Sequence, residues 1–299
     1  MATSRRTLLK TLSLATTGLA IAGANTALGA AASGTADSTN PPLKGNIKHS
    51  VARWTFDDLS IAELCALVKQ IGFNAIDLCG PDDWPTLKQH GVYSSLCNGA
   101  ELNLTDGWCD KRFHEELIQR YHRHIDLVAD AGYKSLICFS GNARGIPPIQ
   151  GMANAIEGLK QVLPHAEQRG ITLVMELFNT KVEHPDYMAC NSEWGVSLCR
   201  SLGSPNFKLL YDIYHMQIME GDVIRTIRNN YQYFGHYQTA GVPGRHELDE
   251  TQELYYPAIA RAVLESGFKG YFGQEFMPTA KTKAGRAQAL KQAIQLCDV

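Results

Sequence analysis

The chain has 299 residues, 44% of them hydrophobic and 19% charged, with 28 basic and 30 acidic side chains. This is the balance of an ordinary globular protein, and it excludes a wholly disordered chain and a fibrous repeat. The net charge of −2 lacks the basic excess with which proteins hold nucleic-acid phosphates, so no nucleic-acid partner is expected.

Residues 1–32 have the pattern of an export signal. Arg5 and Arg6 stand in the run SRRTLLK, a mildly apolar stretch follows, and small residues accumulate up to Ala24 and Ala32, where cleavage would occur. The run resembles the twin-arginine signal, which predicts passage through the twin-arginine export machinery to a periplasmic or extracellular location. A transmembrane anchor is the alternative, but the stretch is weakly apolar and no stop-transfer pattern follows, so no stable membrane anchor is expected.

Residues 33–46 are small, polar and proline-containing, which predicts a disordered linker. The eight cysteines form no C-x-x-C pair, so most are interpreted as small buried hydrophobic residues. An oxidising compartment would permit a disulfide, but the sequence does not indicate which cysteines would pair.

Residues 47–299 alternate short apolar runs with longer amphipathic stretches. The amphipathic stretches have apolar residues at helical spacing, and glycine follows most of them. Eight such units in about 250 residues favour a single (β/α)8 barrel of the α/β class over a doubly wound open sheet, which would be expected to show a G-x-G-x-x-G turn. The strand-like runs are IKHSVARW from residue 47, NAIDLC from 74, VYSSLC from 92, KSLICFSG from 134, ITLVMELF from 171, FKLLYDIYH from 207, FGHYQTAG from 234 and GYFGQEF from 270.

Polar side chains stand near the carboxyl ends of the last four predicted strands. They are Glu176, Asp212, Gln238 and Glu275. In a barrel these ends meet at one mouth, where the chemistry of such folds is found. Three converging carboxylates repel one another unless a cation balances them, and an all-oxygen donor set suits Mg²⁺ or Mn²⁺ better than Zn²⁺. The sequence therefore predicts a divalent metal site.

Further polar residues follow the same strands. His215 comes three residues after Asp212, and His236 is predicted to lie one layer deeper in the barrel than Gln238. Arg245 follows a Pro-Gly turn that could direct it over the mouth. The loop after the fifth strand contains Asn179, Glu183 and His184, and the first-half residues Glu101, Asp110 and His114 are interpreted as solvated loop residues.

The stretches MELFNTKVEHPDYM, LLYDIYHMQIMEGD, GHYQTAGVPGRHEL and GYFGQEF resemble the hydroxypyruvate isomerase family, within the xylose isomerase-like TIM-barrel sugar isomerases and epimerases. The resemblance implies that Glu176, Asp212, Gln238 and Glu275 bind the metal and that Glu176 and Glu275 also form the acid/base pair. It implies substrate contacts for His215 and, less strictly by spacing, for Arg245 and Glu183. It also suggests a homo-oligomer.

The implied reaction converts hydroxypyruvate to tartronate semialdehyde, an aldose–ketose type isomerisation through an enediolate, with two carboxylates moving a proton beside a charge-stabilising metal. The export signal is foreign to hydroxypyruvate metabolism in the cytoplasm and leaves the substrate open. The alternatives are an exported epimerase or isomerase of a free sugar or keto-sugar, a lyase, a metal-dependent nuclease, and a non-catalytic sugar-binding protein. A nuclease would be expected to have several histidine ligands and a basic mouth.

Overall fold

The computed structural model describes residues 42–299. The predicted export signal and most of the predicted linker lie outside these residues. Eight parallel strands pair in chain order and close into a barrel, with β1 pairing with both β2 and β8. The strands are β1 (Lys48–Ala52), β2 (Ala75–Cys79), β3 (Tyr93–Cys97), β4 (Ser135–Cys138), β5 (Thr172–Glu176), β6 (Phe207–Asp212), β7 (Phe234–Thr239) and β8 (Tyr271–Gln274). The predicted single (β/α)8 barrel is confirmed, and the doubly wound alternative is wrong.

Helices surround the barrel and bury their apolar faces against the strands. They are α1 (Ile61–Ile71), α2 (Trp84–His90), α3 (His114–Asp130), α4 (Pro148–Arg169), α5 (Ser192–Leu202), α6 (Ile213–Met219), α7 (Val223–Asn230), α8 (Tyr256–Glu265) and α9 (Lys283–Cys297). The first helix shows how local sequence sets the boundaries. Ser60 and Glu63 form a reciprocal capping box at its start, and Gly72 ends it with a positive φ of 114°. Among the described residues, no helix has the length and apolar character needed to cross a bilayer.

A polar layer lies inside the barrel, beneath the carboxyl ends of the strands. His236 Nε2 lies 2.8 Å from Asp77 Oδ2, and Asp77 also accepts a hydrogen bond from Ser95. Gly273 faces this pair so closely that a Cβ at that position would overlap Asp77. His236 therefore lies deeper than Gln238, as its position in the strand predicts, and its partner is a carboxylate from the other half of the chain.

The residues just before β1 lie against the carboxyl-terminal end of the chain. The backbone N–H of Lys44 donates to Asp298 Oδ2 (2.7 Å), and the Asn46 side chain donates to the backbone oxygen of Val299 (3.0 Å). Leu43 packs against the hydrophobic core. Contact with the barrel therefore begins a few residues before position 47.

Two residues interpreted as solvated are buried, and that interpretation is wrong for both. Asp110 is paired with Arg112, and His114, the first residue of α3, lies with Nε2 3.0 Å from the backbone oxygen of Trp108. Glu101 is half-buried and accepts the Gly99 N–H. All eight cysteines are free thiols, of which seven are buried and Cys190 is partly exposed.

Candidate active site

Four strand ends bring the predicted metal-binding residues to one mouth of the barrel. Glu176 is the last residue of β5, Asp212 the last of β6, Gln238 the next to last of β7, and Glu275 follows β8 directly. All four side chains are buried, and Asp212 is paired in register with Gln238. The parallel pairing places them at the same end because each stands at the same level of its own strand.

The arrangement around Asp212 shows how the start of a helix orients a carboxylate. Asp212 caps α6, with Oδ1 accepting the Tyr214 N–H at 2.8 Å. Its other oxygen, Oδ2, lies 3.5 Å from His215 Nε2 and 3.5 Å from Arg245 Nη2. One oxygen of Asp212 is thus fixed by the backbone, and the other faces the mouth. A Glu176 oxygen, an Asp212 oxygen and a His215 nitrogen all lie within 4.8 Å of one another.

Arg245 joins Glu275 to this group. Its Nη2 donates to Glu275 Oε2 at 2.6 Å and lies near Asp212, while Nη1 is 3.9 Å from Glu183 Oε2. Arg245 adopts a positive φ of 60° after the Pro-Gly turn, a conformation that directs the side chain back over the mouth. Burial alone would lower its pKa, but the carboxylates of Glu275 and Asp212 outweigh this effect and raise it. The guanidinium is therefore a permanent charge within the acidic group.

The acidic residues carry more negative charge than this one guanidinium balances. Burial, followed by the charges of Glu275 and Asp212, holds the pKa of Glu176 well above its usual range. Burial also raises the pKa of Asp212 to about 8, against the lowering effect of Arg245. Without a further cation, these carboxyl groups retain protons that ordinary carboxyl groups lose.

His215 is held as a neutral imidazole in one tautomer. Asn179 directs two donors at its Nδ1, the backbone N–H at 3.2 Å and the side-chain amide at 2.7 Å. The amide orientation is set because Asn179 Oδ1 accepts the N–H groups of Val182 and Glu183. Burial, with Arg245 and His184, lowers the pKa of His215 well below its usual value. The proton therefore resides on Nε2, which faces Asp212.

Glu183 borders the mouth and is half-buried, with its side chain 27% exposed. It accepts hydrogen bonds from the Tyr214 hydroxyl and the Asn179 amide, both at 2.8 Å. His184 stacks on Phe178 at a ring distance of 4.1 Å. Glu183 and His184 could form a second ligand group with His215, but the Nδ1 atom of His215 that faces Glu183 already accepts hydrogen bonds from Asn179.

Trp54 and Tyr214 belong to the site and were not identified from the sequence. The Trp54 indole N–H donates to Glu275 Oε1 at 2.7 Å. Both rings flank Arg245, each with its centroid 5.2 Å from the guanidinium carbon. The position of Trp54, two residues after the end of β1, was an available signal because that strand ends at the same mouth.

The residues at the mouth fit a divalent cation. Within the described part of the chain, the buried oxygens Glu176 Oε1 and Gln238 Oε1 have no hydrogen-bond partner. Unpartnered buried polar atoms are costly, and here they lie in a region of excess negative charge. The carboxylate and amide oxygens of Glu176, Asp212, Gln238 and Glu275 could hold a hard cation such as Mg²⁺ or Mn²⁺.

Two relatives and two solved structures illustrate the likeness of this chain to known proteins. The 2-oxo-tetronate isomerase of Cupriavidus necator is 37% identical over 44% of this chain and 50% of its own length, so the chain matches about half of that relative. The hydroxypyruvate isomerase of Escherichia coli is 27% identical over 72% of this chain and 87% of its own.

Among solved structures, an AP endonuclease, family 2, from Brucella melitensis has a TM-score of 0.72 and 27% identity, covering 81% of this chain and 98% of that one. The D-psicose 3-epimerase of Clostridium cellulolyticum H10 has a TM-score of 0.71 at 14% identity, covering 84% and 98%, and so shares the fold. The family model described as "Xylose isomerase-like TIM barrel" matches residues 49–297. The chain therefore belongs to the family of xylose isomerase-like TIM barrels.

Proposed function

We propose that this protein is a divalent metal-dependent isomerase that interconverts hydroxypyruvate and tartronate semialdehyde. The observation that carries the proposal is the convergence of three buried carboxylates at the barrel mouth. Arg245 contacts those of Asp212 and Glu275, and a Glu176 oxygen lies within 4.8 Å of an Asp212 oxygen. Relatives named as isomerases of hydroxypyruvate and 2-oxo-tetronate support the reaction class.

The proposed reaction moves one proton between neighbouring carbons. A carboxylate removes a proton from C3 of hydroxypyruvate, and the electron pair of that C–H bond forms the enediolate. A carboxyl group then delivers a proton to C2. The proton of the C3 hydroxyl passes to the oxygen on C2, so C3 becomes the aldehyde and C2 carries the hydroxyl. Atoms and electrons balance without an external oxidant or reductant.

Glu176, Asp212, Gln238 and Glu275 would hold the metal, which we propose is Mg²⁺ or Mn²⁺. When bound, it would stabilise negative charge on the enediolate oxygens. The remaining steps fall to the side chains. Glu176 and Glu275 stand on strands three positions apart in the ring, so they flank a substrate bound between them and can act as base and acid.

The other predicted site residues would orient the substrate. His215 would donate its Nε2–H to a substrate oxygen, because its Nδ1 is occupied by Asn179. Arg245 would bind the substrate carboxylate with its planar guanidinium. Glu183 would accept a hydrogen bond from a substrate hydroxyl, since its side chain is partly exposed at the rim.

The closest competing function is an epimerase or isomerase of a free sugar or keto-sugar with the same carboxylate pair. Arg245 favours an acid substrate, because a guanidinium bordering the mouth provides a charge that a neutral sugar does not need. A nuclease is disfavoured by the same region, since buried carboxylates outnumber the cation there and would repel phosphates. A sugar-binding protein without turnover would not require two buried glutamates at the mouth of the barrel.

The test is proton NMR in D₂O with Mn²⁺ or Mg²⁺, at matched concentrations of hydroxypyruvate, several ketoses and keto-sugars. We expect deuterium to enter hydroxypyruvate at C3 and tartronate semialdehyde to form. Glu275→Gln should lose turnover by a factor of about 10²–10⁴, whereas Glu157→Gln, an exposed partner of Lys111 on α4, should retain it. Exchange in a neutral sugar alone would favour the epimerase, and binding without any exchange would favour the sugar-binding protein.

We also propose that residues 1–32 direct export through the twin-arginine machinery, on the strength of the sequence pattern around Arg5 and Arg6. Replacing both arginines by lysine should retain the protein in the cytoplasmic fraction of its host. An unchanged distribution would contradict export by this route. The homo-oligomer suggested by the family resemblance stays a prediction, which size-exclusion chromatography with light scattering can check.

A further inference from the structure

We propose that Trp54 is a positioning residue that holds the Glu275 carboxylate with its indole N–H and the Arg245 guanidinium with its ring face. The assignment rests on the proposed function only in taking Glu275 as a metal-binding and proton-transferring group. It adds to the site a residue that follows β1, the strand on the opposite side of β8 from β7.

The first step of the argument concerns the two oxygens of Glu275. Oε1 accepts the Trp54 indole N–H at 2.7 Å, and Oε2 accepts Arg245 Nη2 at 2.6 Å. Two donors, one on each oxygen, fix the plane of the carboxylate. Each oxygen keeps a second lone pair, so the group can still bind a cation or accept a proton. On Glu176, by contrast, Oε1 has no hydrogen-bond partner among residues 42–299.

The second step concerns the ring. Arg245 lies between the Trp54 and Tyr214 rings, each 5.2 Å from its guanidinium carbon, a spacing at which aromatic faces attract cations. The two rings limit sideways movement of a long, flexible side chain. A substrate carboxylate would therefore meet a guanidinium already held in place, which reduces the entropy lost on binding.

The third step concerns exposure. Trp54 is 42% exposed, so it is not a core packing residue, yet its N–H points inward to a carboxylate that is only 3% exposed. The closure of the barrel makes this contact possible: Val51 of β1 is paired with Gln274 of β8, immediately before Glu275. A tryptophan that only covered the surface of the protein would not need a hydrogen bond to a buried carboxylate.

Two substitutions separate the two roles. Trp54→Phe keeps an aromatic face for Arg245 and removes the N–H, and Trp54→Leu removes both. We expect Trp54→Phe to lower kcat for hydroxypyruvate about 10–100-fold and to leave KM within about twofold of the wild-type value. Calorimetry should show Mn²⁺ binding to the metal-stripped protein weakened by about 10–100-fold, as when other hydrogen bonds that support metal ligands are removed. Trp54→Leu should show the same losses and, in addition, a KM raised about fivefold or more.

Trp194→Phe is the matched control, because its indole N–H donates to the backbone oxygen of Pro148, outside the acidic group. It should keep kcat and Mn²⁺ affinity within about twofold. Wild-type kcat and Mn²⁺ affinity in a folded Trp54→Phe variant would overturn the assignment to Glu275, and an unchanged KM in Trp54→Leu would overturn the assignment to Arg245. If the wild type turned over no substrate but Trp54→Phe still weakened Mn²⁺ binding, the proposed function would fail and the role of Trp54 would stand.

Discussion

Removing divalent cations should make the protein less stable as the pH rises from 6.5 to 7.5. Asp212 has a pKa of about 8 in the folded chain, against an ordinary value of 3.8, and the pKa of Glu176 is also raised. In this window the folded state binds protons that the unfolded state has lost, so the free energy of unfolding falls with pH. Each such proton contributes about 1.4 kcal/mol per pH unit.

Asp212 alone gives a loss of about 1.4 kcal/mol over this unit, and Glu176, whose pKa is also raised, acts in the same direction. For a domain of this size, 1 kcal/mol corresponds to about 2–4 °C, so the Asp212 contribution should lower the melting temperature by about 3–6 °C. Buried histidines with lowered pKa, such as His215 and His49, act in the opposite direction. Because their ordinary pKa is 6.5, this effect declines across the window, and comparison with Asp212→Asn removes it. Saturating Mn²⁺ should abolish the fall, since a cation keeps the carboxylates ionised.

The assay is calorimetry of EDTA-treated and Mn²⁺-saturated protein at four pH values from 6.5 to 8.0. Asp212→Asn is the control, because it should remove about one proton's share of the pH dependence while other groups titrate as before. The reasoning would be refuted if, relative to Asp212→Asn, the melting temperature of the EDTA-treated wild type stayed level or rose with pH.

Three further predictions concern the interior, the histidine and the thiols. Gly273→Ala should lower the free energy of unfolding by more than about 1–3 kcal/mol, because the added methyl group overlaps Asp77. Urea unfolding measures this, and a midpoint equal to that of the wild type would contradict it. Asn179→Asp should lower kcat about 10–100-fold, because it replaces a donor to His215 Nδ1 by an acceptor, and ¹⁵N NMR should show the changed tautomer. Ellman's reagent should label about one thiol, Cys190, in the native protein and all eight in urea.

The architecture could be predicted from the sequence because each buried strand leaves a short apolar run of its own. All eight runs contain the observed strands, and the polar residues at the ends of the last four converge as parallel pairing requires. The position of each polar residue along its strand was enough to predict that these side chains meet, without knowledge of any long-range contact.

Contacts between distant segments could not be predicted in this way. Trp54 and Glu275 are 221 residues apart, and the hydrogen bond between them depends on one indole N–H. Asp110 and His114 were misjudged for a different reason. Their partners, Arg112 and the backbone oxygen of Trp108, are only two and six residues away, but the polar type of a residue does not show whether such a local partner is in reach. Burial of a polar side chain depends on its partner more than on its own chemistry.

The pairing of β1 with β8 has a consequence for biosynthesis. The strand that completes the ring, β8, leaves the ribosome after the other seven, so one edge of β1 is unpaired until then. Trp54 and Glu275, on either side of this seam, can meet only after residue 275 has left the ribosome. A nascent chain cut short before residue 271 would thus lack both the seam and Glu275, and would expose two strand edges to neighbouring molecules.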